Sequence, residues 1–275
     1  MESLRRTRFE GDIRLFVGGV TRDTVEALKR SGIEVSPFPR VRLPWPGGGL
    51  HPYDVRLWRL QRIYPALVRT LTLPSGDRTA AAARVAAPIS VPVVGRFFRY
   101  CHYLSTARPK YRHVMLTDVR DVFFQHDPFD FDIGDELVCF LEDERQTLGG
   151  EPHNSTWLRT AFGESVLEEL GGCPISCVGT TIGSTRQVLS YVRTMTDWLV
   201  GFPHQYFGLD QAVHNYVLHK GLVSAARQVR NDAGVVLTLG IVPTDSLEPP
   251  IRGHVLHQYD RHPRLAEQLR RTIEE

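Results

Sequence analysis

The run from Val114 to Phe124 (VMLTDVRDVFF) is apolar apart from two carboxylates, Asp118 and Asp121, with Arg120 between them. Such a run reads as a buried strand, and acids at the C-terminal end of a buried strand sit where open α/β sheets bind ligands. Removing two carboxylates from water is costly unless a cation or hydrogen-bond donors compensate them. A divalent metal is the simplest compensation. Mg²⁺ and Mn²⁺ take carboxylate oxygens and leave positions for waters and substrate phosphates. The competing reading is that Asp118 caps the next turn while Arg120 and Asp121 form a surface ion pair.

A chain of 275 residues can bury a sizeable core, and it suits one large α/β domain or two small ones. One domain, residues 1–275, is the simplest partition. The net charge of +2 singles out no anionic partner, and no nucleic-acid partner is expected. Lysine occurs only at Lys29, Lys110 and Lys220, so the abundance of arginine reflects codon bias as much as chemistry. No apolar run is long enough for a transmembrane helix, and the first residues lack the apolar core of a signal peptide. A cytoplasmic location is expected, with room for peripheral membrane association. Cys101, Cys139, Cys173 and Cys177 are too few for a disulfide scaffold and read as reduced packing thiols. Asn154-Ser-Thr is a glycosylation sequon without meaning in a bacterial cytoplasm.

Along the chain, Asp12–Gly18 reads as a strand, Thr21 as the N-cap of a helix through about Ser31, and Ile33–Ser36 as a second strand. Residues 37–54 and 73–95 are rich in proline, glycine or alanine and read as loop excursions. Between them, Tyr53–Thr72 has helical apolar spacing at Val55, Trp58, Leu60, Ile63, Leu67 and Leu71, and Arg96–Ala107 repeats the habit. Further strands are expected at Leu137–Leu141, Ile175–Ile182 and Val235–Ile241. Helices are expected at Thr156–Leu170, Arg186–Val200 and from Gly208 onward. Strands alternating with helices point to a mainly parallel, layered α/β sheet.

Arg96-Phe-Phe-Arg99-Tyr leading into Tyr111-Arg-His-Val-Met-Leu-Thr-Asp118-Val-Arg-Asp121 resembles the nucleotide-sugar glycosyltransferases of GT-A fold, especially the glycogenin-like group and its lipooligosaccharide galactosyltransferase relatives. In those, an Ala-Arg-Tyr-Tyr-Arg helix precedes a strand ending in Asp-x-Asp; here the spacing is Asp-x-x-Asp, with Arg120 at the strict third position. Asp210-Gln211-Ala-Val-His-Asn215 is similar to the group's Asp-Gln-x-x-x-Asn segment, which lies under the donor sugar. His254-Val-Leu-His257-Gln-Tyr-Asp260-Arg261-His262 is similar to its terminal histidine segment, without the fuller Gly and Lys-Pro-Trp ending.

The resemblance implies a GT-A, Rossmann-like mixed sheet, mainly parallel and flanked by helices. It implies Mn²⁺ or Mg²⁺ on Asp118, Asp121 and His257, and catalytic roles for Asp210 and Gln211. Arg96, Arg99, Arg120, Gly183 and Arg261 are candidates to contact a nucleoside diphosphate sugar, the alternative being that one of Arg96 and Arg99 is simply solvated. The reaction would be sugar transfer to a carbohydrate or other hydroxyl acceptor, with retention. Gly179-Thr-Thr-Ile-Gly183-Ser184 could bring backbone close to a sugar, or be plain turn chemistry. Glu142-Asp-Glu144 could reach donor or acceptor, or be an exposed acidic loop. The opening Glu2-Ser-Leu-Arg-Arg-Thr-Arg reads like the end of the helix that follows the first strand of such a fold. The expectation is therefore a lost first strand, or a true start upstream of the recorded one. A metal-dependent phosphohydrolase or nucleotidyltransferase, and an inactive sugar- or nucleotide-binding remnant, are the alternatives.

Overall fold

The computed structural model describes residues 2–38, 58–106, 111–247 and 250–274. In chain order the first elements are α1 (Glu2–Arg6), β1 (Arg14–Val17), α2 (Arg22–Arg30), β2 (Glu34–Pro37), α3 (Trp58–Thr72), α4 (Arg78–Ala86) and α5 (Pro92–Thr106). Next come β3 (His113–Thr117), β4 (Val122–Phe124), β5 (Leu137–Leu141), α6 (Pro152–Phe162), α7 (Glu164–Leu170) and β6 (Ser176–Ser184). The chain then continues through α8 (Thr185–Leu199), α9 (Leu209–His219), β7 (Ala226–Val229), β8 (Val236–Thr238), β9 (Val255–His257) and α10 (Pro263–Glu274). No helix among the described residues is long and apolar enough to cross a membrane.

The chain packs as two compact units, one of residues 1–10, 110–191 and 211–275, the other of residues 11–109 and 192–210. The first unit holds a four-stranded sheet in the order β3-β6-β5-β7 and a three-stranded sheet in the order β4-β9-β8. β6 runs antiparallel to both β3 and β5, and β5 runs parallel to β7. β9 pairs antiparallel with β4 and parallel with β8. The fold is mixed α/β, but among the described strands parallel and antiparallel pairings are evenly balanced rather than mainly parallel. The central strand β5 is buried along its whole length, as its unbroken apolar sequence requires.

Val114–Phe124 is not one buried strand. β3 is half-buried throughout and ends at Thr117, and the chain turns at Asp118–Asp121 to enter a different sheet as β4. A strand at the edge of its sheet keeps one side open, which explains the partial burial of an apolar sequence. Thr156–Leu170 likewise divides into α6 and α7 at Gly163, whose φ of 86° breaks the helix. α1 packs with β4, where the Ser3 hydroxyl accepts from the Phe124 amide at 3.2 Å.

In the second unit β1 and β2 pair in parallel, and Thr21 caps α2 by accepting from the Thr24 amide. The expected excursion at 73–95 is largely helical. Asp77 caps α4 by accepting from the Ala80 amide, and the alanine run that follows has the strongest intrinsic preference for helix. Pro92 occupies the first position of α5, where its missing N–H is harmless. The excursion at 37–54 lies, from residue 39 on, outside the described residues, as does the start of the Tyr53–Thr72 helix. The buried side of α3 carries Tyr64, Val68 and Thr72, while the expected core positions Ile63, Leu67 and Leu71 are each more than half exposed. The period was legible; the face was one residue off.

Candidate metal centre

The turn between β3 and β4 brings the two acids together. Thr117 pairs with Thr180 across the β3/β6 ladder, so Asp118 falls opposite Gly179, whose carbonyl accepts the Asp118 amide at 2.9 Å. Val122 pairs with His257 across the β4/β9 ladder, and the Asp121 carbonyl accepts from the Gln258 amide at 2.7 Å. Each acid is thus held at the end of a different sheet. One ligand atom from each of Asp118, Asp121 and His257 lies within 4.8 Å of the others. Because the acids flank a turn rather than share one strand face, the Asp-x-x-Asp spacing places both in the cluster.

His257 is wholly buried, yet its Nε2 makes no hydrogen bond and stands 3.6 Å from Asp118 Oδ2. Gly179 leaves the space the ring needs: a Cβ there would lie 2.4 Å from His257 Cε1, 2.7 Å from Nε2 and 2.8 Å from Asp118 Oδ2. Burial works against a charged His257, but Cys177 and the Asp118 carboxylate beside the ring outweigh it and raise the pKa to about 10. Burial also pushes the Asp121 carboxyl up, with Asp118 adding to the rise and His257 opposing it. Two carboxylates and an imidazole that otherwise needs a proton form a donor set that a hard or borderline divalent cation fits. The unbonded Nε2 and the close approach of His257 and Asp118 over Gly179 are consistent with that fit.

Gln211, expected to touch a sugar, is buried and fully engaged. Its Oε1 accepts from the Val178 amide at 2.9 Å, and its Nε2 donates to Ser176 O at 3.0 Å and Asn154 Oδ1 at 3.2 Å, with Glu142 Oε1 at 3.4 Å. Asn215 accepts from the Ser176 amide and donates to the Ser176 carbonyl. Both carboxamides grip β6. Glu142 and Asp143 are buried rather than an exposed acidic loop. Burial raises Glu142 to about 7, against the pull of His257 and a hydrogen bond with Cys177.

The other expected site residues have contacts of their own. Arg120 is 91% exposed, and its carboxylate neighbour is Asp260 at 3.9 Å, not Asp121. Gly183 sits inside the sheet between Val114 and Leu137, where a Cβ would come within 2.6 Å of the Glu136 carbonyl. Close strand packing, not ligand approach, accounts for that glycine. Arg261 is exposed on the turn after β9. Within the second unit, Arg96 pairs with the buried Asp210 at 2.7 Å, and Arg99 donates to Ala87 O while its guanidinium stacks 3.6 Å from the Phe38 ring centroid.

Cys177 and the ring-facing role of Gly179 escaped sequence reasoning. The available signal was a glycine in mid-strand, which marks close approach of another group. Neither a family model nor a curated protein matches the chain.

Proposed function

We propose that the protein is a metal-dependent glycosyltransferase of GT-A type, moving a sugar from a nucleoside diphosphate donor to a hydroxyl acceptor with retention. One observation carries the reading: the convergence of Asp118, Asp121 and His257 to within 4.8 Å, the three residues whose motifs resemble that group's metal ligands. Bound Mn²⁺ or Mg²⁺ would stabilise the charge on the departing diphosphate.

The chain's own residues supply the rest. Asp118 and Asp121 offer hard oxygens from opposite ends of one short turn, and neutral His257 offers Nε2 from the neighbouring strand. Asp118 keeps 35% of its side chain exposed, which leaves a side open to waters or a phosphate oxygen. Gly179 keeps that approach clear of side-chain atoms. The mixed α/β fold accommodates such a site but does not by itself argue for it.

Thermal-shift measurements with nucleoside diphosphate sugars, with and without Mn²⁺, test the reading. Stabilisation that requires both ligands is expected, about 2.7 kcal/mol when the donor stands at a hundred times its dissociation constant. Absence of any such stabilisation in well-folded protein overturns it. Metal-dependent phosphate release without sugar transfer would assign the chain to the phosphohydrolases.

A further inference from the structure

His257 presents its two ring nitrogens to different surroundings. Nε2 is buried without a hydrogen-bond partner on the side of Asp118, while Nδ1 lies 3.5 Å from Cys177 Sγ. The ring is 0% and Cys177 2% exposed, so no bulk water competes for either nitrogen. A nitrogen that ligates a cation must present its lone pair, which in neutral imidazole leaves the proton on the other nitrogen. That proton needs an acceptor, because the orientation of a ligating imidazole is set by the bond its second nitrogen makes.

We propose that Cys177 is the positioning residue of this centre: its Sγ accepts the His257 Nδ1–H, sets the tautomer and holds Nε2 toward Asp118 and Asp121. The inference rests on the metal reading of the site. Cys177 is not itself a ligand in this arrangement, since it meets the ring at Nδ1 and lies outside the cluster of Asp118, Asp121 and His257.

The position of the sulfur is in turn held through the backbone. Ser176 and Val178, the residues on either side of Cys177, share four hydrogen bonds of 2.9 to 3.0 Å with the carboxamides of Gln211 and Asn215: their two amides donate to the side-chain oxygens, and the Ser176 carbonyl accepts from both side-chain nitrogens. A carboxamide can donate and accept at once, so it matches the N–H and C=O of a peptide. Gln211 and Asn215 are one helical turn apart on α9 and so share a face. The Asp-Gln-x-x-x-Asn segment therefore serves the metal centre through β6: Gln211 and Asn215 fix the strand, Cys177 fixes the ring, and Gly179 makes room for it.

The test uses the whole chain, Mn²⁺ alone as probe, and the variants Cys177→Val and Cys177→Ser. Mn²⁺ affinity is read from the electron paramagnetic resonance of the free ion, and the His257 proton from ¹⁵N NMR of labelled histidine side chains in protein loaded with diamagnetic Mg²⁺. Expected are a proton on Nδ1 in wild type, a 10- to 100-fold loss of Mn²⁺ affinity in Cys177→Val, and recovery of most of it in Cys177→Ser, whose hydroxyl again offers an acceptor. Unfolding temperatures of the metal-free variants separate a merely structural effect. A bare Nδ1 in wild type, or unchanged affinity in a folded Cys177→Val, overturns the positioning role alone. Wild type that binds no Mn²⁺ overturns the metal reading with it. Should Cys177→Val not fold, Cys177→Ala, which also lacks an acceptor, takes its place in the affinity measurement.

Discussion

His257 Nε2 and Asp118 Oδ2 face each other at 3.6 Å, too far apart for a good hydrogen bond, over a backbone position that admits no Cβ. On the metal reading of the site, the cation would stand between these two groups. The consequences can be measured separately.

Replacing Asp118 or Asp121 by asparagine keeps the shape and removes the charge. Each variant should lose at least ten-fold in Mn²⁺ affinity, with the metal-dependent thermal shift abolished in Asp118→Asn. An unchanged shift in Asp118→Asn would reassign that residue to capping the turn.

Gly179→Ala puts a methyl group 2.4 Å from His257 Cε1, closer than carbon atoms tolerate. The ring or the strand must move, at a cost of about 1–3 kcal/mol, the range for overpacking. Urea unfolding should show that loss, and Mn²⁺ titration should show weakened binding. A variant as stable as wild type would mean that the ring has another place to go.

Glu142 titrates near 7 in the folded protein, chiefly because it is buried, against an ordinary value of 4.5. Between these values the folded state binds more protons than the unfolded one. Stability therefore falls as pH rises from about 4.5 through 7, by about 3 kcal/mol in all. Glu142→Gln should abolish that part of the decline and raise the unfolding temperature at pH 8. Parallel pH profiles for the two proteins would contradict it.

Asp77 caps α4 and takes two bonds of 2.7 and 2.8 Å from Arg193. Those contacts, the guanidinium first, hold its carboxyl below the usual carboxylate value of 3.8. Asp77→Ala should cost about 1 kcal/mol at neutral pH, most of it the lost cap, since a half-exposed ion pair adds little. Because the folded pKa is depressed, the charge-dependent part is present above the ordinary value and disappears as pH falls through the folded one. Unfolding of Asp77→Ala and Asp77→Asn at neutral and acid pH would show whether the charge adds anything to the cap.

Local chemistry was readable where one segment decides its own state. Thr21 as an N-cap, the strand at Leu137–Leu141 and the helix opening after Gly208 follow from caps, apolar runs and helical periodicity, and these signals are carried by neighbours in sequence. Residues 73–95 are largely helical rather than a loop excursion for a local reason too: Asp77 supplies the cap from which the alanine-rich stretch runs as a helix.

The candidate ligands Asp118, Asp121 and His257 were nameable from the sequence, because residue types and motif order carry donor chemistry. Their convergence was not, since it depends on β3 and β4 belonging to different sheets and on Val122 pairing with His257. Tertiary structure alone turned Gln211 from a sugar contact into a clamp on β6, buried Glu142, and set Cys177 against the back of the imidazole. The physical reason is the same in each case. A side chain's chemistry is a property of its own atoms, whereas its burial and its partners depend on strands and helices brought together from distant parts of the chain.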